Sequence, residues 1–155
     1  MRIVSLASGS KGNATVVEAG EAALLIDCGL SGREFAKRCF AAKIDPTKII
    51  AAVFTHNHTD HTCGIDAFHK NFPDAALFAN FMTAEAVAHE CGLDDSVFVC
   101  FENGQEFEVG AFTASAFSVP HDTSDPVGYL LKADGETYFH GTDIGTPLDS
   151  IGLKL

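Results

Sequence analysis

Four side chains able to bind a metal ion fall within six positions: His56, His58, Asp60 and His61, in the pattern His-x-His-x-Asp-His. Neutral imidazoles and carboxylates are ligands of Zn(II), Mn(II) and Fe(II). So many titratable groups beside an apolar strand would be costly without a cation to pair them. No regular helix or strand aims all four at one point, because side chains recur every 3.6 or every 2 residues. A loop leaving a strand is free to curl round an ion. Two further candidates follow predicted strands: His121 in Val119-Pro120-His121-Asp122, and Asp143 in Gly141-Thr142-Asp143-Ile144-Gly145. Strand ends and the loops after them are where sheet-based enzymes carry their site residues. The other candidates read more blandly. His69 and His89 fall in predicted helices and read as solvated. Strand alternation sets His140 on the face opposite Asp143, as a packing or surface residue. Cys63 reads as packing under the loop. Ser8-Gly9-Ser10-Lys11-Gly12-Asn13 reads either as a plain turn or as a nest of backbone N–H groups that could hold a phosphate oxygen, with Lys11 its one cation.

The elements that must position these residues are legible from pattern. Residues 49–54 are a continuous apolar run, suited to a strand covered on both faces, and they feed directly into the histidine cluster. Before it come a short strand at Val4 and Leu6, a hairpin of residues 15–18 and 22–26, and a helix opened by the capping box Ser31/Glu34 with Phe35, Cys39 and Ala42 on one face. After it, Ile65, Phe68 and Phe72 mark a helix stopped by Pro73. Residues 76–79 read as a strand, and a helix capped by Thr83 runs to Cys91 with Gly92 as its terminator. Residues 97–101, 105–109, 112–119, 127–133 and 137–142 read as a meander of strands, with Asp134-Gly135 a hairpin signal. The order predicts an α/β layered sandwich, without the strict alternation of a doubly wound fold.

Composition narrows the classes. The chain has 155 residues, 46% of them apolar, with 10 Lys+Arg against 21 Asp+Glu for a formal net charge of −11. A chain of this length supports one good core rather than two. The absence of any Lys/Arg block argues against a nucleic-acid coat or a basic membrane-surface protein. Acidity leaves a nuclease open, since bound divalent metals supply local positive charge. No run approaches the roughly 18 apolar residues of a membrane span, and no secretory signal is expected. The five cysteines, Cys28, Cys39, Cys63, Cys91 and Cys100, are odd in number and form no C-x-x-C pair. They read as reduced, mostly buried thiols of a cytoplasmic protein.

The spacing of His56, His58, Asp60, His61, His121 and Asp143 resembles the metallo-β-lactamase-fold hydrolase superfamily. The turn at residues 8–13, the strand end Leu25-Ile26-Asp27-Cys28-Gly29, and Pro120-His121-Asp122-x-x-Asp125-Pro126-Val127-Gly128-Tyr129 resemble its YycJ/WalJ-like branch of bacterial metal-dependent hydrolases. The resemblance implies an αββα sandwich, of which residues 1–155 form a single domain incomplete at its C-terminus. It implies two metal sites. His56, His58 and His121 hold the first, Asp60 and His61 the second, Asp143 bridges both, and Asp27 supports the loop. Family members complete the second site with a later histidine that has no match up to Leu155, so that site is expected to be weak. Zn(II) is the default metal, with Mn(II) or Fe(II) as alternatives.

The function implied is hydrolysis of a phosphodiester by a metal-activated water held in place by the catalytic Asp60, as in a DNA or RNA exonuclease. Thioesterase, lactonase and β-lactamase chemistry are alternatives on the same fold, as is a non-catalytic metal-binding fragment. A shortened sandwich would expose apolar edges after Gly104, so a symmetric homodimer is expected. No membrane partner is expected.

Overall fold

The apolar run before the histidines is explained by its place at the middle of a sheet that is covered on both sides. In a computed structural model that describes residues 1–145, β1 (Arg2–Ala7), β2 (Ala14–Ala19), β3 (Ala22–Ile26), β4 (Ile49–Val53), β5 (Ala76–Asn80) and β6 (Phe98–Phe101) form one sheet in that order. The first three strands pair antiparallel and the steps from β3 to β6 are parallel. Parallel neighbours need crossovers. Here α1 (Gly32–Ala42), the pair α2 (Thr59–Thr62) and α3 (Ile65–Asn71), and α4 (Phe81–Cys91) supply them. The second sheet is an antiparallel meander of β7 (Glu106–Val109), β8 (Phe112–Ser118), β9 (Val127–Ala133) and β10 (Glu136–His140).

Two apolar layers result, rather than the single core expected from chain length. On one side of the first sheet, Leu25, Ala52 and Phe54 pack with Phe35 and Cys39 of α1, Ile65 and Phe68 of α3, and Val87 of α4. On the other side, Leu24, Ile26, Ala51 and Val53 meet Phe112, Ala114, Tyr129 and Leu131 of the second sheet. Strand alternation sends neighbouring residues of β3 and β4 into opposite layers. One central sheet can therefore serve two thin cores. Among the described residues no helix follows β6, so the layers are helix, sheet and sheet, three of the four in an αββα sandwich. Residues 146–155, the end of the single domain read from sequence, lie outside the described residues.

Some local readings need correction. Residues 97–101 do not open the meander; β6 pairs parallel with β5 in the first sheet. The N-cap of α4 is Asn80, whose Oδ1 accepts the Thr83 N–H at 2.9 Å, so Thr83 sits one turn inside the helix. Only Cys28 and Cys39 are buried thiols; Cys91 and Cys100 are half-buried and Cys63 is exposed. α2 turns His61 and Thr62 inward, which swings the next residue, Cys63, to the outside. His89 is exposed as expected, but His69 is half-buried with an enclosed Nδ1. Among the described residues no helix is long and apolar enough to cross a membrane.

Candidate metal centre

All the candidate ligands gather at one rim of the sandwich. Asp27 follows β3 and His56 follows the parallel strand β4, so both leave the carboxyl ends of neighbouring strands. His121 follows β8 and Asp143 follows β10, two parallel-running strands of the facing sheet. Backbone and side-chain bonds sew the two rims together. The Val127 N–H donates to the Thr55 carbonyl at 2.9 Å. The buried Tyr129 hydroxyl donates to the Phe54 carbonyl at 2.5 Å. These bonds tie the loop carrying His121 to the loop carrying His56.

The loop itself needs one helical turn. His58 is the N-cap residue of α2, which winds through Asp60 and His61 and returns His61 to the interior. His56 and His61 are each 1% exposed, a burial that neutral or paired imidazoles tolerate and isolated charges do not.

A buried hydrogen-bond chain sets the tautomers. The Asp27 carboxylate accepts the Thr55 N–H at 2.8 Å, the Thr55 hydroxyl at 2.8 Å and His61 Nδ1–H at 2.7 Å. Having donated its one hydroxyl proton to Asp27, Thr55 Oγ1 can only accept from His56 Nδ1, 2.9 Å away. Each ring, when neutral, is thereby held as the Nδ1–H tautomer, with its lone pair on Nε2. Such partners behind an imidazole orient metal ligands. Asp27 adopts a left-handed backbone, φ +59°, which Asp tolerates better than most residues.

His56 Nε2 is buried with no hydrogen-bond partner among the described residues. A buried acceptor left bare is costly, and its neighbours explain it. Ligand atoms of His56, His58 and His121 lie within 4.8 Å of one another, as do those of His56, His61 and Asp143. The rings of the first group form a near-equilateral triangle with centroids 4.8, 4.9 and 5.0 Å apart. His121 Nε2 and His58 Nδ1 are 3.3 Å apart, the separation of two nitrogens sharing a tetrahedral ion at about 2.0–2.1 Å. Asp122, quoted in the branch motif but not as a ligand, lies 3.2 Å from His121 Nδ1 and turns Nε2 toward the triangle. The donor set therefore fits divalent metal ions.

Asp60 is the one motif residue outside both groups. Its Oδ2 is 3.8 Å from His61 Nε2 and accepts from Asn13 Nδ2 at 3.0 Å. Asp143 Oδ2 approaches the same His61 Nε2 at 3.1 Å. His140 is buried and lines, with Asn13, Asp27 and Thr142, a cleft of about 260 Å³ beside these groups. β10 ends at His140, so strand alternation does not carry on to Asp143, whose φ is +54°. In the turn at residues 8–13 the Gly9 and Gly12 N–H groups are both used internally.

Burial, reinforced by the neighbouring His61, pushes His56 down to about 4. At neutral pH it is an uncharged ligand. Burial lowers His61 as well, but the hydrogen bond and charge of Asp27, with Asp60 and Asp143, outweigh it and leave the group raised. Burial also lowers His140.

Comparison with known proteins agrees with this geometry. The pattern of the beta-lactamase superfamily domain matches residues 23–155. The chain is 32% identical over 143 residues to exodeoxyribonuclease WalJ of Streptococcus pneumoniae serotype 2, and 31% identical over 142 residues to exodeoxyribonuclease YycJ of Bacillus anthracis. Each alignment covers 90% of this chain and 53% of the relative, so the chain spans about half the length of the curated relatives it matches. A Cronobacter sakazakii metallo-beta-lactamase with a HARLDQ motif superposes with a TM-score of 0.69 at 21% identity, over 88% of this chain and 57% of that one. At that identity the likeness speaks for the fold alone.

Proposed function

Because the chain belongs to the beta-lactamase superfamily, we propose that it is a metal-dependent hydrolase of phosphodiesters, with DNA ends as its substrate class. The observation that carries metal dependence is the buried Nε2 of His56, unpartnered among the described residues and common to both ligand groups. The substrate class is supported by likeness to two exodeoxyribonucleases.

In this reading His56, His58 and His121 hold one ion, and His61 and Asp143 hold a second with Asp60 beside them. Zn(II) suits three imidazoles, and a ligand set without sulfur also accommodates Mn(II) or Fe(II). When bound, such ions lower the pKa of a coordinated water toward about 7 and offset charge on the phosphate oxygens. The chain's own residues do the rest. Asp27 and Thr55 keep the His56 and His61 lone pairs facing inward. Asp60, half-buried at the rim, is placed to accept a hydrogen bond from the attacking water. His56, held neutral, adds no charge that would repel a cation. An overall charge of −11 repels long DNA, so strand ends reaching one rim suit this surface better than a duplex laid along it.

Metal content of protein purified without chelator, followed by a substrate panel, tests the reading. Bis-p-nitrophenyl phosphate and DNA ends should turn over with added Zn(II) or Mn(II). Turnover of only a β-lactam or a thioester would overturn the phosphodiester assignment. Protein that takes up no divalent ion would overturn the metal assignment.

A further inference from the structure

The glycine-rich turn at residues 8–13 is unused by the reading above, yet its last residue reaches the candidate metal centre. Asn13 is 8% exposed and its backbone is wedged between two other segments. Its N–H donates to the Asp60 carbonyl at 2.7 Å, and its carbonyl accepts the Gly29 N–H at 2.8 Å. There is no room between these chains. A Cβ on Gly29 would stand 1.7 Å from the Asp60 carbonyl oxygen, and one on Gly12 2.3 Å from the Gly29 carbonyl oxygen. The turn is thus fixed against the loop that carries Asp60 and His61.

The Asn13 side chain has only one orientation that satisfies its neighbours. The Gly9 N–H donates to Oδ1 at 2.9 Å, which leaves Nδ2 on the other side. Nδ2 lies 3.0 Å from Asp60 Oδ2 and 2.9 Å from His61 Nε2. With Nδ1–H committed to Asp27, the neutral His61 ring offers its lone pair at Nε2. One amide group therefore covers the free lone pair of His61 and one carboxylate oxygen of Asp60. Both side chains belong to the second subsite, His61 as a ligand and Asp60 beside it.

We propose that Asn13 is the positioning residue of the second metal subsite, holding Asp60 and His61 in their relative places and setting the affinity of that subsite alone. The inference rests on the metal reading above. Filling the subsite exchanges the amide on His61 Nε2 for the cation, while the bond to Asp60 persists. The two effects oppose each other. The displaced amide bond weakens binding by about two- to tenfold, whereas a partner that orients a ligand is worth about 10- to 100-fold in affinity. Orientation wins, so removing the amide should weaken the second subsite.

The test is titration calorimetry of the metal-free 155-residue chain with Zn(II), for the wild type, Asn13→Ala and Asn13→Ser. The two classes of wild-type site are assigned with His121→Ala and Asp143→Ala. Both Asn13 variants keep the backbone bonds that fix the turn, and thermal unfolding of the metal-free proteins identifies those that fold. If Asn13→Ala does not fold, Asn13→Ser carries the measurement. The expected result is a loss of about fivefold or more at the second site, with the first site within about twofold of wild type. Unchanged or tighter binding at the second site would overturn the inference. So would equal losses at both sites, which mark a merely structural role. Wild-type protein that binds no Zn(II) overturns the metal reading itself, whereas two wild-type sites with an indifferent Asn13 variant overturn this inference only.

Discussion

Asp27→Asn should separate the fold from the metal centre, because it alters one atom of a buried network and nothing of its shape. The wild-type carboxylate accepts from the Thr55 N–H, the Thr55 hydroxyl and His61 Nδ1–H. An amide keeps the Oδ1 acceptor for Thr55 and tolerates the left-handed φ of +59°. It places an NH2 opposite His61 Nδ1, which is 2.7 Å from the atom replaced. Two donors cannot share that bond, so His61 must move its proton to Nε2. There it meets Asp143 Oδ2 at 3.1 Å, displaces the Asn13 amide that faced Nε2 at 2.9 Å, and no longer offers a lone pair. The metal-free fold should lose about 1–2 kcal/mol, the difference between a charge-assisted and a neutral bond. Affinity at the second metal subsite should fall by about 10- to 100-fold, with a smaller loss at the first. Asp27→Ala is a different perturbation. It strands the Thr55 N–H and His61 Nδ1–H at about 1–3 kcal/mol each and adds about 1–2 kcal/mol for alanine in the left-handed region. Those losses rival a typical total stability of about 5–15 kcal/mol. Urea unfolding with chelator present and titration calorimetry with Zn(II) measure both quantities. An Asp27→Asn protein that binds both ions as tightly as wild type would refute the tautomer argument.

Three further outcomes are expected. His58→Ala or His121→Ala should strip the first ion and, at a metal concentration of 100 times the wild-type Kd, cost about 2.7 kcal/mol of metal-linked stability; unchanged stoichiometry and Tm in both would refute the ligand assignment. In metal-free protein His56 is pushed down to about 4 from its ordinary 6.5, so its contribution to stability is full above pH 6.5 and is lost as pH falls toward 4, when the unfolded chain takes up the proton first. The wild type's stability advantage over His56→Gln should therefore shrink from pH 7 to pH 4.5; an advantage that holds or widens would contradict the burial of His56. The outer face of β8–β10 carries the stacked pair Phe117–Phe139, with rings 5.0 Å apart, and half-buried Leu130, under no helix of the described residues, so a homodimer is expected by light scattering over a hundredfold concentration range, and a monomer throughout would refute it.

What was legible in the sequence followed from short-range chemistry. Residues 49–54 announced a strand buried on both faces because side-chain alternation carried no polar residue, and β4 has one face in each apolar layer. Ser31 and Glu34 announced a helix start because their bond is local, and Ser31 accepts the Glu34 N–H at 3.4 Å. The illegible features depend on distant partners. Thr83 and Asn80 both suit a cap, and Asn80 takes the role at the end of β5, where its Nδ2 also donates to the Asp125 carbonyl at 2.7 Å. Residues 97–101 look like any strand of the meander, and only a parallel pairing with β5 across α4 assigns them to the other sheet.

The same distinction explains why His121 reaches the histidine loop at all. A loop of eight residues between β8 and β9 has many conformations, and nothing in Val119-Pro120-His121-Asp122 selects the one that meets His58. Selection comes from a polar knot behind the loop. Asp125 is held at φ +55°. Its Oδ1 accepts from Asn103 Nδ2 at 2.6 Å and its Oδ2 from Asn80 Nδ2 at 3.1 Å. Asn103 in turn donates to Ser118 Oγ at 2.9 Å. Asn80 comes from the first sheet, Asn103 from the turn before β7, and Ser118 from the end of β8. The loop is thereby clamped at both ends and from beneath, with the Val119 N–H closing it onto the Pro126 carbonyl at 2.9 Å. A ligand supplied by one sheet can complete a triangle built on the other only because this knot removes the loop's conformational freedom before any ion arrives. In physical terms it is preorganisation, and it places part of the candidate metal centre's affinity in residues that never approach the ion.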